Sequence, residues 1–393
     1  MKNSKIFAQA TRLNKIPPYL FADLDQLKAE YILKNRQEII DFGEGNPLFF
    51  PDKRIIAELI QALNKLENHR YPTYAGSIET RKAVANWYQR RFNVKLDPEN
   101  EVVIVLGTKE GIGHLFWAMI DKDDIAYIPS PSYPVYLNQT LLAGGKPVIL
   151  PLKEENNFLP ELNKIRPNKK TKLLVLNYPN NPTTVVAPIS FYQDVVNKAL
   201  KYGFYCFNDN VYSELYYGSP PHSILEAPDA KECCVEFHSL SKTFSMCGWR
   251  IGFAVGNKNI LKALLKIKQN VDSGPFGAIQ DAAIFALNNM EKFAEHTRQE
   301  YQKRLALFAQ GLQALGWQTK MPEATFYLWT KIPIAKYKDD SKTFTAYLLR
   351  KTGILVAPGR GFGEYGEGYI RFALIHSIKT IKTALDRMQN LRC

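Results

Sequence analysis

The sequence reads Ser239-Leu240-Ser241-Lys242-Thr243-Phe244-Ser245-Met246-Cys247-Gly248-Trp249-Arg250-Ile251-Gly252 where two apolar runs meet, Cys233 to Phe237 before it and Ile251 to Val255 at its end. Both runs predict buried strands. A lysine held beside apolar strands loses hydration, which lowers its pKa and leaves a nucleophilic amine suited to Schiff-base chemistry. Two serines and an arginine near Lys242 supply donors for a doubly charged phosphate. The stretch therefore predicts an internal aldimine between Lys242 and pyridoxal phosphate, with an ordinary strand-to-strand loop as the alternative.

Length and composition indicate a soluble protein of two domains. The chain has 393 residues, which is too long for one ordinary core, and its hydrophobic share of 46% and charged share of 23% are typical of globular proteins. No apolar run is long enough to span a membrane, and Met1 to Ala10 lacks the apolar core of a secretory signal. The five cysteines are odd in number and form no C-x-x-C pair, which favours a reducing cytoplasm.

The large positive net charge does not by itself identify the class of binding partner. The 51 basic and 38 acidic residues give +13, a balance that can indicate nucleic-acid binding. Here the basic residues are scattered among acidic ones, so we expect no nucleic-acid partner and instead a surface that attracts small dianions. The six histidines show no metal-ligand spacing, and no metal is predicted.

The middle of the chain predicts an α/β fold with a mostly parallel seven-stranded sheet covered by helices on both faces. Short β-branched runs alternate with helical patterns, as in parallel sheets. The candidate strands are Val102–Leu106, Ile125–Ile128, Val148–Leu150, Lys172–Leu176, Phe204–Phe207, Cys234–His238 and Gly252–Val255. Loops with polar or glycine residues follow several of these strands, and open α/β sheets bind ligands at that edge.

Changes of pattern along the chain predict three segments. Residues 1–48 form an extended arm, a helix from about Ala22 to Lys34 and a strand, and belong in part to the small domain. Residues 49–282 form the large cofactor-binding domain. Residues 283–393 form a smaller α+β domain that begins with a long helical region, Ala283 to Leu315.

Each loop offers a group that suits pyridoxal phosphate. Gly107-Thr108-Lys109 begins a helix directly after a strand, so unpaired N–H groups and the helix dipole point at an anion. Tyr133 offers a ring that could stack on the cofactor. A buried Asp209 against the pyridine nitrogen would keep that nitrogen protonated and make the ring an electron sink. Each motif alone also fits a plain structural turn or a core residue, and it is their number that favours the cofactor.

The chain resembles the class I/II aminotransferases of pyridoxal-phosphate fold type I from about Ile16 to Arg371. The residues that carry the resemblance are Asn181-Pro182-Thr183, Asp209-x-x-Tyr212, Ser239-x-Ser241-Lys242 with Arg250, and Arg371. Within the family, Pro17 to Phe21, Arg70-Tyr71 and Pro358 to Gly363 are most similar to bacterial alanine aminotransferases and LL-diaminopimelate aminotransferases.

The resemblance implies a role for each residue. Lys242 binds the cofactor and serves as the acid–base, Asp209 pairs with the pyridinium, and Tyr133 stacks on the ring. Asn181 and Tyr212 hold the phenolic oxygen. Arg371 binds the substrate α-carboxylate, with Asn181, Gly45 and Tyr19 beside it. The phosphate ligands are Thr108, Lys109, Ser239, Ser241, Arg250 and, from the neighbouring subunit of a homodimer, Tyr71.

The implied activity is amino transfer between an L-amino acid and a 2-oxo acid, with alanine and glutamate as the favoured donors. LL-diaminopimelate or aspartate is the alternative substrate, because the Asp272 to Gly277 loop departs from the alanine aminotransferase pattern. The sequence also has Thr184 where the family has glycine after Asn-Pro-Thr. Two other functions stay open, a fold-type-I lyase or decarboxylase that uses the same lysine and a cofactor-binding protein without catalysis.

Overall fold

The computed structural model describes residues 9–18, 20–34, 38–389 and 391. These residues contain a large and a small sheet and one further strand pair. In chain order the strands are β1 (Ile40–Asp41), β2 (Val102–Val105), β3 (Ile125–Ser130), β4 (Lys146–Pro151), β5 (Thr171–Leu176), β6 (Tyr205–Asp209), β7 (Cys234–Ser239), β8 (Gly252–Gly256), β9 (Tyr327–Lys331), β10 (Ile354–Leu355), β11 (Ala357–Pro358) and β12 (Tyr369–Ala373).

Helices cover the sheets and connect most of the strands. In chain order the α-helices of the described residues are α1 (Leu20–Lys34), α2 (Lys53–Ala62), α3 (Ile78–Phe92), α4 (Thr108–Met119), α5 (Val135–Leu142), α6 (Ile189–Tyr202), α7 (Leu240–Thr243), α8 (Lys258–Val271), α9 (Gly277–Asn289), α10 (Glu291–Ala314), α11 (Ser341–Thr352) and α12 (Ile378–Met388). Several begin at a side chain that accepts a first-turn N–H group, as Asp52, Ser77 and Asn257 do for α2, α3 and α8.

The large sheet confirms the predicted fold class. Its seven strands lie in the order β2-β8-β7-β6-β5-β3-β4, and only β8 runs antiparallel to its neighbours. The edge strand β2 and the inner strand β7 are both buried along their whole length, because helices cover the two faces of the sheet. Because β2, β3, β5, β6 and β7 run in the same direction, the loops after them meet at one edge.

The amino-terminal and carboxyl-terminal segments pack together through the smaller sheets. The parallel pair β1–β10 places Ile40 opposite Ile354. The antiparallel sheet β11-β12-β9 carries Arg371 on its middle strand. Gly361 to Gly366 matches the G-x-G-x-x-G pattern of dinucleotide sites, but it lies in two short 3-10 helices before β12, without the helix that such a site needs.

Two local features differ from expectation. Residues 11–15 form a 3-10 helix within the segment predicted as an extended arm. The long helical region is divided at Met290, whose side chain is buried and whose backbone leaves the helical conformation.

The hydrophobic cores can be compared with the domain boundary that the sequence predicts at residue 282. The division into domains remains a proposal. The larger core includes residues of α9 and reaches Ala294, whereas the second core begins at Leu305 within α10. These memberships favour a boundary inside α10 rather than at residue 282.

Candidate active site

A cavity of about 240 Å³ lies at the carboxyl edge of the large sheet, where the small sheet faces it. The structure brings twelve of the predicted site residues to its wall. They are Gly45, Thr108, Lys109, Tyr133, Asn181, Asp209, Tyr212, Ser239, Ser241, Lys242, Arg250 and Arg371. The ends of β2, β3, β5, β6 and β7 supply nine of them, and Gly45 after β1, Arg250 before β8 and Arg371 on β12 supply the rest, so the fold brings together residues that are distant in sequence.

Lys242 lies in the short helix α7, directly after β7, with its side chain half-buried. Its Nζ donates to the carbonyl oxygen of Gly45 at 2.8 Å. Burial lowers the pKa of Lys242 to about 8, and the positive charges of Arg371 and Arg250 act in the same direction. About a tenth of the amine is therefore neutral at pH 7, far more than for an ordinary lysine, and the neutral form is the one that acts as a nucleophile or proton acceptor. Gly45 is required here because a Cβ would lie 2.1 Å from the Tyr327 hydroxyl.

Asp209 ends β6 and presents a buried carboxyl to the cavity. Its Oδ2 accepts a hydrogen bond from the Tyr136 hydroxyl at 2.6 Å, and its Oδ1 has no partner in the described part of the chain. Burial raises the pKa of Asp209 to about 7. An unpaired buried carboxylate oxygen is costly, so the arrangement fits a ligand that brings a charged donor such as a protonated ring nitrogen.

The start of α4 and the loop before β8 form a cradle for an anion. Gly107 precedes α4 with a φ of 80°, and a Cβ there would lie 2.4 Å from Arg250 Nη2. Arg250 itself adopts a left-handed conformation and donates from Nη1 to the carbonyl oxygen of Cys247 at 2.7 Å. With Thr108 and Ser241 on the same wall, these groups suit the phosphate of the expected cofactor.

Arg371 reaches the cavity from the small sheet and is 1% exposed. Its Nη1 donates to Asn181 Oδ1 at 2.8 Å, and its Nη2 donates to the carbonyl oxygen of Gly43 at 2.7 Å. The guanidinium stacks on the ring of Tyr327, with 4.0 Å from Cζ to the ring centroid. This positions a planar, permanently charged group for a carboxylate.

Two predicted residues are not placed in the cavity of their own chain. Tyr71 is 95% exposed and does not line it. Tyr19 lies outside the described residues. The predicted roles of all the site residues remain proposals.

Sequence analysis missed several wall residues. Tyr136 bonds to Asp209, and the Tyr327 hydroxyl lies 2.9 Å from the Tyr212 hydroxyl. Asn177 donates to the backbone carbonyl of Asp209 at 2.7 Å. Asn177 and Tyr136 lie in or one turn after loops that were singled out, so their position was a usable signal. Tyr327 lies on a strand of the small sheet and carries no motif.

Outside the cavity, ligand-type atoms of Glu110, His114 and Asp272 lie within 4.8 Å of one another. The ammonium group of Lys268 already contacts both carboxyl groups, at 2.8 and 2.6 Å.

Among the described residues there is no helix of the length and apolarity needed to cross a membrane.

Comparison with protein families gives a match over almost the whole chain. The model described as "Aminotransferase class I and II" matches residues 37–388. The LL-diaminopimelate aminotransferase of Aquifex aeolicus is 46% identical over 98% of this chain and 100% of that protein. The enzyme of the same name from Halothermothrix orenii is 45% identical over 97% of this chain and 98% of that protein.

Solved structures match the fold as closely. Apo-BacF from Bacillus subtilis has a TM-score of 0.95 and 34% identity, and the match covers 99% of each chain. A mutant aspartate aminotransferase from Thermus thermophilus has a TM-score of 0.91 and 28% identity over 98% of this chain and 99% of that one.

Proposed function

The chain belongs to the aminotransferase class I and II family, and from this premise we propose that it transfers the amino group of LL-diaminopimelate to 2-oxoglutarate. The cofactor is pyridoxal phosphate, held at Lys242. The observation that carries the proposal is the pairing of Arg371, a fixed carboxylate receptor, with the half-buried amine of Lys242 on one cavity wall.

The residues present fit the cofactor. When bound, it supplies an electron sink for the bond that breaks at the substrate α-carbon. Asp209 Oδ1 would accept a hydrogen bond from the protonated ring nitrogen, and Tyr212 and Asn181 would hold the phenolic oxygen. Lys242 Nζ, as the neutral amine, takes the proton from the α-carbon and returns it on the other side of the transfer. Arg371 orients the α-carboxylate so that this proton faces Lys242.

The names of the relatives support LL-diaminopimelate as the substrate. The proteins that are 42–46% identical to this chain carry that name. From the sequence alone, alanine was the favoured substrate and LL-diaminopimelate the alternative. Glutamate and 2-oxoglutarate remain the expected second pair of amino donor and acceptor. Family membership alone does not identify the substrate, because a fold of this kind accommodates several substrates.

A donor screen on the purified enzyme tests the substrate. We expect kcat/KM with 2-oxoglutarate to be at least about tenfold higher for LL-diaminopimelate than for alanine, aspartate or methionine, a difference of about 1.4 kcal/mol in transition-state binding. A higher value for alanine would overturn the substrate while leaving the aminotransferase assignment. Ammonia release without glutamate formation would instead indicate a lyase.

We also propose a homodimer with shared active sites, in a reducing cytoplasm. Helix α2 buries Ile55 and Ala62 against the core, yet Ile56, Ile60 and Leu63 form a second apolar stripe that is exposed in the single chain. The two sets lie about 100° apart around the helix, and a helix that is apolar around much of its circumference is buried on more than one side. The exposed Tyr71 lies shortly after α2, beyond the 3-10 helix Leu66–His69, so a second copy of the chain on this surface would receive it. The described cysteines form no disulfide, which supports the compartment.

A further inference from the structure

A buried ammonium group outside the cavity connects the start of α4, which lines the cavity, with the loop that follows α8. Lys268, in the last turn of α8, is 0% exposed. Its Nζ donates to Glu110 Oε1 at 2.8 Å, to Asp272 Oδ1 at 2.6 Å and to the carbonyl oxygen of Ser273 at 3.0 Å. His114 lies beside both acids, 2.9 Å from Glu110 Oε1 and 3.5 Å from Asp272 Oδ2. All three donors of the ammonium group are therefore used.

One arm of this cluster ends at the phosphate cradle. Glu110 lies in the first turn of α4, and its second oxygen accepts the backbone N–H of Leu106 at 3.0 Å. The bond closes a loop over Gly107, Thr108 and Lys109. Since Lys268 holds the other oxygen of Glu110, it fixes the position of this loop relative to α8.

The other arm ends at the segment that carries Tyr71. Asp272 and Ser273 open a loop that packs tightly on residues 68–77. A Cβ on Gly274 would lie 2.3 Å from the carbonyl oxygen of Thr73, and one on Gly277 would lie 2.8 Å from the Cα of Asn68. The position of this loop therefore determines where Tyr71 is presented.

We propose that Lys268 is a positioning residue for both active sites of the dimer. It sets the phosphate cradle of its own subunit through Glu110, and it sets the Tyr71 segment offered to the partner through Asp272 and Ser273. A buried ion cluster specifies one arrangement of the segments it joins, which apolar packing of the same volume would do less strictly. The inference rests on the proposed cofactor and the proposed shared dimer.

Hybrid dimers separate the two arms. If one subunit carries Lys242→Ala, a single lysine remains to bind the cofactor covalently, and the visible absorbance of that Lys242-linked cofactor reports its site alone. A second substitution is then placed either on the subunit that retains Lys242 or on the opposite subunit. The dissociation constant of pyridoxal phosphate is measured for each hybrid, together with its Tm.

The contacts through Glu110 and those through the loop after α8 predict opposite dependence on which subunit carries the substitution. We expect Glu110→Gln to raise the dissociation constant about tenfold, the usual size of a supporting-residue effect, only on the subunit that retains Lys242. We expect Gly274→Ala to raise it only from the opposite subunit. Lys268→Met should raise it from both positions. Lys266→Met, an exposed lysine of the same helix, is the matched control and should have no effect in either position.

A purely structural role predicts that Lys268→Met lowers Tm with an unchanged dissociation constant, or that Glu110→Gln and Gly274→Ala each act equally from both positions, and either result would overturn the proposal. If Lys268→Met does not fold, Glu110→Gln and Gly274→Ala still give the answer. The hybrid of wild type with Lys242→Ala is the control for the function itself. If it binds no covalent cofactor, the proposed function and dimer fail first, whereas a normal control together with symmetric effects of Glu110→Gln and Gly274→Ala rejects only the role of Lys268.

Discussion

Arg371 lies on the middle strand of the small sheet, yet the groups that orient its guanidinium come from the large sheet and the amino-terminal segment. Asn181 Oδ1 and the carbonyl oxygen of Gly43 each accept one N–H group, and Tyr327 supports the plane. The remaining edge suits two parallel bonds to a carboxylate.

Replacing Arg371 tests this geometry. Loss of one partner of a buried charge pair costs ~2–5 kcal/mol, so Arg371→Ala should lower kcat/KM roughly thirtyfold to several thousandfold. Arg371→Lys keeps the charge but loses the planar fork and should remain impaired. Arg350→Lys, on the exposed face of α11, is the control. Full activity of Arg371→Lys would show that charge alone is sufficient.

Asp209 makes the protein without cofactor less stable as the pH rises. Its folded-state pKa of about 7 lies above the ordinary value of 3.8, because burial disfavours the charged form. Between about pH 4 and 7 the unfolded state releases a proton that the folded state keeps, so stability falls as pH rises and the loss is complete above pH 7.

The substitution Asp209→Asn should remove this loss of stability at higher pH. For the protein freed of cofactor, we expect the variant to melt at least about 3 °C above wild type at pH 8, with the difference shrinking toward pH 5. Its affinity for pyridoxal phosphate should fall at the same time. Asp194→Asn, an exposed carboxyl on α6, should show no such trend. A pH-independent difference for Asp209→Asn would contradict the argument.

Thr184, which follows the Asn-Pro-Thr motif, is a strained residue. Its φ is 71°, a left-handed conformation that a β-branched side chain adopts at a cost of about 1–3 kcal/mol. We expect Thr184→Gly to raise Tm with kcat/KM unchanged, since the backbone conformation near Asn181 is retained. Thr184→Ala keeps a Cβ and should give no gain. Equal Tm values for the two variants would show that the backbone is not strained here.

At the scale of elements, the join between β2 and α4 depends on one glycine. Gly107 has a positive φ, and a Cβ would displace Arg250 Nη2. Gly107→Ala should therefore weaken pyridoxal phosphate binding at least about tenfold, which is about 1.4 kcal/mol, as measured by absorbance titration. Gly113→Ala is the matched control, because it lies inside α4 with its Cβ in ordinary contact, 3.6 Å from Gln139. Equal affinity of both variants would exclude this account of the cradle.

Strands and loops that depend on the local sequence pattern were predictable, whereas contacts between distant segments were not. The strands of the large sheet were predicted within about two residues because each is a continuous apolar run, and the loops at their ends contain the residues that the cavity gathers. The break at Met290 was missed because the helical pattern continues through it, and only burial of this side chain in the larger core marks it. Tyr327 was missed because its contact with Arg371 depends on the register of β9 and β12, and its contact with Tyr212 depends on how the small sheet faces the large one.

At the scale of the whole molecule, one surface explains both the second apolar stripe of α2 and the exposure of Tyr71. Ile56, Ile60 and Leu63 recur at intervals of four and three residues, and their side chains are 37%, 59% and 43% exposed. Such spacing places them on one face of the helix. Contiguous exposed apolar residues next to a functional segment indicate a protein interface.

A charge in the middle of this stripe tests the dimer. We expect Ile60→Asp to produce monomers by light scattering, because burying an unpaired carboxylate in an apolar interface is strongly unfavourable. The monomers should bind pyridoxal phosphate at least about tenfold more weakly, since each site loses the hydroxyl of the partner's Tyr71 and its charge-assisted bond to the phosphate. Leu200→Asp, on the exposed face of α6 with 43% of its side chain exposed, is the control and should remain dimeric with unchanged affinity. Monomers that keep the full affinity would show that each subunit builds its phosphate site alone, and a dimer that persists would place the interface elsewhere.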